Sequence, residues 1–472
     1  MNKFYLTTAI PYVNAAPHVG HALEFVQADT IKRTRILLGD EVLLLSGSDE
    51  NALKNVQAAE KEGKNVQGFV DENSVLFQEL AKKLNIDFDV FQKGSNPDHF
   101  KSSQKLWELC DKNGDIYKKE YSGLYCVGCE AFYELEELNE NGECFEHPGK
   151  KLEEVTETNY FFKLSRYQEQ LENLIENDEL KITPVSRKNE VLGFLKQGLK
   201  DISISRSNTR AKNWGVPVPG DDTQRMYVWF DALNIYQSGI GFALDEKEYD
   251  KWWPADVHVI GKGIIKFHAI YWPAFLISAG LKLPKSLFVH GYFTVDGQKM
   301  SKTIGNVIDP IYLIDKYGVD GIRYYFLNEI PPTSDGDFAE NKLKEIYNAN
   351  LANGIGNLTA RVAKLSEKVG LELPDPERKL APEIVEKLTD YKFNEALGII
   401  WEKVGEVDKK INQDEPWKLE GEALSEKLRG YASYIIYIGA NLAPFMPETS
   451  EKIMSQFSGK VKSSDPLFPR LS

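Results

Sequence analysis

Residues 3–45, KFYLTTAIPYVNAAPHVGHALEFVQADTIKRTRILLGDEVLLL, hold three elements of one folding unit. Lys3–Ala9 (KFYLTTA) is short, aromatic and β-branched and is stopped by Pro11, which predicts a strand. Asn14-Ala15-Ala16-Pro17 reads as a loop, and a helix is predicted from about His18 to Leu38, ended by Gly39-Asp40. Glu41–Leu45 (EVLLL) is almost entirely apolar. A strand of that kind is buried on both faces, which requires a parallel sheet with helices on each side. Strand, helix and strand in this order open a doubly wound, Rossmann-like α/β domain.

Outward from there the character changes. From about Tyr117 to Trp214 cysteines cluster, turns are frequent and charge is dense, which reads as an insertion. The α/β pattern returns at Tyr227–Phe230 and at Val257–Gly261, and Lys285–Tyr292 contains a further strand before the loop Thr294–Thr303. From about Glu340 the chain is expected to be helical. Leu351, Ile355, Leu358, Val362, Leu365 and Val369 form an amphipathic stripe, and Leu371–Leu380, with two prolines, is a connection. The division that follows is 1–116 and 215–298 for the two halves of the α/β domain and 117–214 for the insertion between them. Residues 299–345 form a loop and connecting region, and 346–472 an all-α helical bundle.

The 472 residues suit two to four domains, and 42% hydrophobic with 27% charged residues is ordinary for a folded, soluble protein. No stretch reaches the ~18 apolar residues of a membrane span, and no secretory signal is legible, so a cytoplasmic protein without a membrane partner is expected. The net charge of −14 excludes a generally basic coat but not a local RNA-binding surface.

Four groups of residues carry chemistry. His18-Val19-Gly20-His21 stands between a strand and a helix start, where a glycine admits close backbone approach and two imidazoles can meet phosphate oxygens. Gly297-Gln298-Lys299-Met300-Ser301-Lys302-Thr303 places two lysines three apart in a polar loop, suited to a triphosphate. Cys126-Val127-Gly128-Cys129, then Cys144 and His147, is the ligand spacing of one tetrahedral, structural zinc ion, whereas Cys110 reads as a buried thiol. Asn357 and Arg361 share a helix face, and Trp417 follows Pro416; an aromatic ring stacks on an unstacked base while Asn and Arg read base edges. Taken alone, Trp417, Trp229 and Tyr236 read more readily as core aromatics.

The first two groups, in this order at opposite ends of an α/β domain, resemble the HIGH and KMSKS signatures of class I aminoacyl-tRNA synthetases. The flanking residues are similar to the methionyl-tRNA synthetase family over essentially the whole chain. They are Ala9–Asn14 (AIPYVN), Tyr227–Ala232 (YVWFDA), Lys266-Phe267-His268 with Tyr271–Ala274 (YWPA), and Val289–Tyr292 (VHGY). The resemblance implies ATP with Mg²⁺, L-methionine and tRNA(Met) as partners. It implies His18, His21, Lys299 and Lys302 as catalytic residues, and His18, Gly20, His21, Gly261, His290 and Lys302 around ATP. A methionine pocket would consist of Ala9, Ile10, Tyr12, Asp49, Trp229, Ala232, Tyr236, Phe267 and His268, with Asp49 on the amino group. Aromatic walls suit a polarizable thioether, and a Tyr hydroxyl or His could offer its sulfur a weak hydrogen bond. Asn357, Arg361 and Trp417 would read the anticodon; Arg206 would have a supporting role near the site; Cys126, Cys129, Cys144 and His147 match the family's zinc knuckle.

Two positions depart from the family pattern. Asp49-Glu50-Asn51-Ala52 stands where Asp-Glu-His-Gly is common, so no role is expected of Asn51. Gly263 stands where Asp is common, which weakens a side-chain contact to ribose there. The insertion of about a hundred residues is too short for the editing domain of the valine, leucine and isoleucine relatives. With the chain ending at Ser472, a monomer is expected.

Overall fold

The computed structural model describes residues 2–126, 131–133, 135–145, 149–299 and 307–471. Its centre is a six-stranded, wholly parallel sheet of β1 (Lys3–Thr7), β2 (Glu41–Ser48), β3 (Val90–Lys93), β4 (Lys181–Thr183), β5 (Val257–Gly261) and β6 (Ser286–His290). The order across the sheet is β3-β2-β1-β5-β6-β4. From β1 the chain winds outward one way to β2 and β3, and later the other way to β5 and β6. The crevice between the carboxyl ends of β1 and β5 is therefore the topological switch point, where open α/β sheets bind ligands.

Both faces of the sheet are buried, and strand alternation sorts the residues between two cores. Phe4, Leu6, Leu44, Val257, Val259 and Phe288 face one core, together with Ala22, Phe25 and Val26 of helix α1 (Val19–Leu37). Tyr5, Leu43, Leu45, Ile260, Leu287 and Val289 face the other, with Trp272 and Phe275. The first core runs on without a break into the C-terminal helices Phe393–Asp414 and Gly421–Leu442. Arg323, fully buried, ties the two regions together: it pairs with Asp29 of α1 at 2.7 Å and donates to the carbonyls of Pro444 and Phe445.

Several elements differ from the sequence reading. β1 ends at Thr7, because Ala9 turns its N–H away from the sheet to Glu24. Tyr227–Phe230 is not a strand; Tyr227 caps the short helix Val228–Ala232. β4 lies inside the span 117–214 yet completes the edge of the central sheet, so the chain returns to that sheet before the span ends. The rest of that span is built on an antiparallel pair, Ile116–Cys126 against Glu153–Phe162. The loop Thr294–Thr303 begins as a hairpin of Phe293–Val295 and Gln298–Lys299, whose Asp296-Gly297 turn has φ of +50° and +75°. Positive φ at both central positions is the Asp-Gly hairpin turn. The helical stripe is present: Leu351, Ile355, Leu358 and Val362 are buried, and Leu365 and Val369 pack at its rim. Among the described residues no helix is long and apolar enough to cross a membrane.

Candidate active site

His18 is the N-cap of α1, which begins just beyond the carboxyl end of β1. The backbone N–H of Gly20 donates to His18 Nδ1 (3.1 Å), and the backbone N–H of His18 donates to His21 Nδ1 (3.2 Å). An Nδ1 that accepts carries no proton, so the ring proton lies on Nε2, the far side of the ring from the helix backbone. The rings stack at 4.0 Å, and His21 meets the edge of Phe77. Burial, and then the neighbouring His18, hold His21 well below the usual histidine range. The helix start therefore places two imidazoles, each accepting on Nδ1, beside the positive end of the helix dipole, an arrangement suited to phosphate oxygens.

Glu24, two turns into α1 and absent from the sequence reading, links this start to the sheet. One oxygen accepts from the N–H of Ala9 (2.8 Å), and the other lies 2.9 Å from His290 Nε2 at the end of β6. His290 also reaches the carbonyl of Gly291, and its register partner is Gly261 of β5. An acid between Leu23 and Phe25 on a helix otherwise buried against the sheet was the signal available in the sequence. Gly263 lies just beyond; a Cβ there would stand 2.3 Å from the hydroxyl of Tyr292, so a larger residue requires that ring to move.

On the other side of β1 lies an aromatic pocket. Trp229 stacks face to face on Phe267, with ring centres 3.7 Å apart, and Tyr12 meets Trp229 edge-on at 6.3 Å. Ala232 is one turn on from Trp229 in the same helix, and Ala9 and Ile10 pack against the same core. Phe267–Tyr271 forms a π-helical stretch, a widened turn common at functional sites. Tyr12 pairs with Asp49 in a parallel bridge, reinforced by the Asp49 N–H on the carbonyl of Pro11 (2.9 Å). Asp49, Tyr12 and Trp229 thus meet at one place, and Asp49 is buried.

Tyr236 and His268, both 1% exposed, complete the pocket's floor. His268 Nδ1 faces the carbonyl of Ile264 at 3.0 Å, and a carbonyl only accepts, so the ring's single proton is there. Its Nε2 then accepts from the Tyr236 hydroxyl at 2.8 Å. Burial lowers His268 to about 4, which keeps the ring neutral. Both of these protons have acceptors within the protein.

Comparison with known proteins gives a consistent answer. The profile of the family described as tRNA synthetases class I (M) matches residues 4–363. A methionine–tRNA ligase of Brucella suis is 39% identical over 471 residues, covering 96% of this chain and 91% of the relative. One of Thermotoga maritima is 40% identical, covering 98% of this chain and 76% of the relative. The chain belongs to the methionyl-tRNA synthetase family. The solved methionyl-tRNA synthetase of Mycobacterium tuberculosis in complex with methionyl-adenylate superposes with a TM-score of 0.92 at 36% identity, covering 100% of both chains.

Three of the remaining residues singled out by the family resemblance, Asn357, Arg361 and Trp417, lie in the C-terminal helical region. Asn357 begins the helix Asn357–Lys368 and is exposed. Arg361, one turn on, pairs with Asp408 at 2.5 Å and donates to Asn412 at 2.8 Å, both on the neighbouring helix Phe393–Asp414. Trp417 is 51% exposed, so it is not a core residue. Arg206 is buried, with its guanidinium over the rings of Tyr125 and Tyr227. Lys302 lies outside the described residues; Lys299 closes the hairpin's second strand.

Of the four expected zinc ligands, Cys129 and His147 lie outside the described residues. Cys126 and Cys144 are both buried, with sulfurs 3.3 Å apart, well beyond the ~2.05 Å of a disulfide. Two thiols converging in a buried position fit a soft-metal donor set. Among the described residues no group of three or more His, Cys, Asp or Glu is arranged to hold a metal ion. Cys110 is a buried thiol on the carbonyl of Phe275, pushed up to about 12 by burial.

Proposed function

We propose that this chain is a methionine-activating enzyme in full working order. It forms methionyl-adenylate from L-methionine and ATP, then passes the methionyl group to the 3′-terminal adenosine of tRNA(Met). What supports the reading most directly is the juxtaposition, across β1, of a paired-imidazole helix start and a cluster of aromatic rings with a buried carboxylate at its edge.

In the first step a methionine carboxylate oxygen attacks the α-phosphorus of ATP, which enters as its Mg²⁺ complex, and pyrophosphate leaves in line. Such a reaction needs positioning and charge neutralisation more than covalent help. The Nε2–H groups of His18 and His21 meet phosphate oxygens as charge builds, and the ammonium groups of Lys299 and Lys302 take the β- and γ-phosphates. Gly20 admits the nucleotide to the backbone, and Gly261 and His290 border it. Asp49 holds the substrate's amino group, and the thioether lies among Ala9, Ile10, Tyr12, Trp229, Ala232 and Phe267, over Tyr236 and His268. Arg206 supports the site from the insertion. In the second step the 2′-hydroxyl of the terminal adenosine attacks the adenylate carbonyl and AMP leaves. Trp417 stacks on an anticodon base while Asn357 and Arg361 read base edges.

Cys126, Cys129, Cys144 and His147 would hold one zinc ion, which when bound cross-links the insertion and takes no part in the reaction. The reading carries with it a cytoplasmic monomer, acting where its tRNA is. ATP–pyrophosphate exchange with methionine, leucine, isoleucine, valine and cysteine tests it. Exchange that depends on methionine is expected, abolished by Asp49→Ala, with about one zinc per chain by metal analysis. Folded, zinc-containing protein without exchange for any of them would leave a tRNA-binding relative that has lost the chemistry.

A further inference from the structure

Asn51 stands two residues after Asp49, and Asp231 two residues after Trp229. The Asn51 amide donates to Asp231 Oδ2 at 2.6 Å and to the carbonyl of Gly94 at 2.9 Å. Asp231 is 1% exposed, and its Oδ2 lies 3.5 Å from Nε2 of the fully buried His99. His99 is fixed in turn by the hydroxyls of Ser238 (2.8 Å) and Ser103 (3.3 Å). Burial pushes the Asp231 carboxyl up, and its other oxygen has no hydrogen-bond partner among the described residues. The Asn51 amide is therefore one of very few groups that satisfy a buried acid.

These contacts close a ring around the pocket. Two links between the segment 49–51 and the helix Val228–Ala232 bear on the pocket. One is Tyr12, which bridges to Asp49 by backbone and to Trp229 by ring edge. The other is the Asn51–Asp231 hydrogen bond. An edge-on ring contact slides easily; a 2.6 Å hydrogen bond to a carboxylate does not. We infer that Asn51, acting through Asp231, is a positioning residue that sets the distance between the carboxylate taking the amino group and the aromatic wall taking the thioether. The inference rests on the function proposed above. Methionine's amino group and sulfur are joined by a short chain and must be met at once, so this distance governs methionine binding. The nucleotide's neighbours sit on α1, β5 and β6 and do not depend on the strut.

The test compares methionine and ATP dependence of pyrophosphate exchange in the wild type, Asn51→Ala, Asp231→Leu and the double variant, with tryptophan fluorescence titrated by methionine. Asn51→Ala is expected to raise KM for methionine about tenfold and shift the fluorescence midpoint equally, leaving kcat and KM for ATP within about twofold. The double variant should be no weaker for methionine than Asp231→Leu, because both changes cut one link. Asp231→Asn keeps an acceptor for the Asn51 amide and should stay within about threefold of the wild type. An unmoved KM for methionine in Asn51→Ala overturns the inference. So does a rise shared with ATP, or a fall in kcat alone, which marks a folding defect. If Asp231→Leu does not fold, the Asn51→Ala split decides by itself. A wild-type chain without methionine-dependent exchange defeats the underlying reading instead.

Discussion

At the start of α1, His18 and His21 each accept a backbone N–H on Nδ1. On the floor of the aromatic pocket, His268 gives its one proton to Ile264 and uses its other nitrogen to take the proton of Tyr236. Burial keeps His21 and His268 neutral. Yet their protons sit on opposite nitrogens, on Nε2 at the helix start and on Nδ1 at the floor. The difference follows from what each faces: a phosphate gains from every N–H aimed at it, whereas an apolar side chain gains only from a surface whose polar groups are already satisfied. On the proposed function, discrimination would come from shape and polarizability in the pocket, and rate from the helix start.

The largest break in this contrast is expected from His21→Ala. Losing one aimed donor should cut kcat for exchange about a hundredfold with KM for methionine little changed; a rise in KM alone would move His21 to the methionine side. Tyr236→Phe acts on the opposite region. It strands the buried Nε2 of His268 without its donor, at about 1–3 kcal/mol, so KM for methionine should rise roughly tenfold with kcat within about threefold. Unchanged KM would show that the floor is not coupled to the ligand. The third expectation concerns selectivity: a linear hydrocarbon side chain of methionine's length, norleucine, should be activated with kcat/KM within about tenfold of methionine, because the protons of Tyr236 and His268 already have acceptors. A loss of a thousandfold in steady-state exchange would mean that Tyr236 or His268 turns to donate.

The last expectation concerns stability and its pH dependence. His268 is held down to about 4, and His21 and His258 are also held well below the ordinary value by burial. Between the unfolded value near 6.5 and the folded one, the unfolded chain binds more protons, so stability falls as pH falls. For His268 the contribution, about 3 kcal/mol, is fully present above pH ~6.5 and is lost as pH drops toward 4. Urea midpoints should fall between pH 7 and pH 5, and His268→Gln should flatten part of that slope. An equal slope in the variant would place the titration elsewhere.

The elements that could be read early are those whose pattern is local. The apolar run at Glu41–Leu45 gave the parallel sheet because burial on both faces leaves no polar position in such a strand. Tyr227–Phe230 was misread because a short aromatic run is compatible with either a strand or a buried helix, and only its neighbours decide. Asp296-Gly297 carried its hairpin signal openly, but in a stretch too short and polar to look like strands. β4, three residues long, has no periodicity to detect.

Residues 3–45, by themselves, determined the sheet's direction, the helix start that crosses its edge and the pair of histidines at that start, since each rests on side-chain pattern within a few residues. The tertiary structure alone decided where protons go. Asn51 meets Asp231 across 180 positions, His290 meets Glu24 across 266, and Tyr236 meets a histidine whose other nitrogen is already held. A hydrogen bond's direction depends on both partners and on what else each one touches, and that information exists only once the chain is folded.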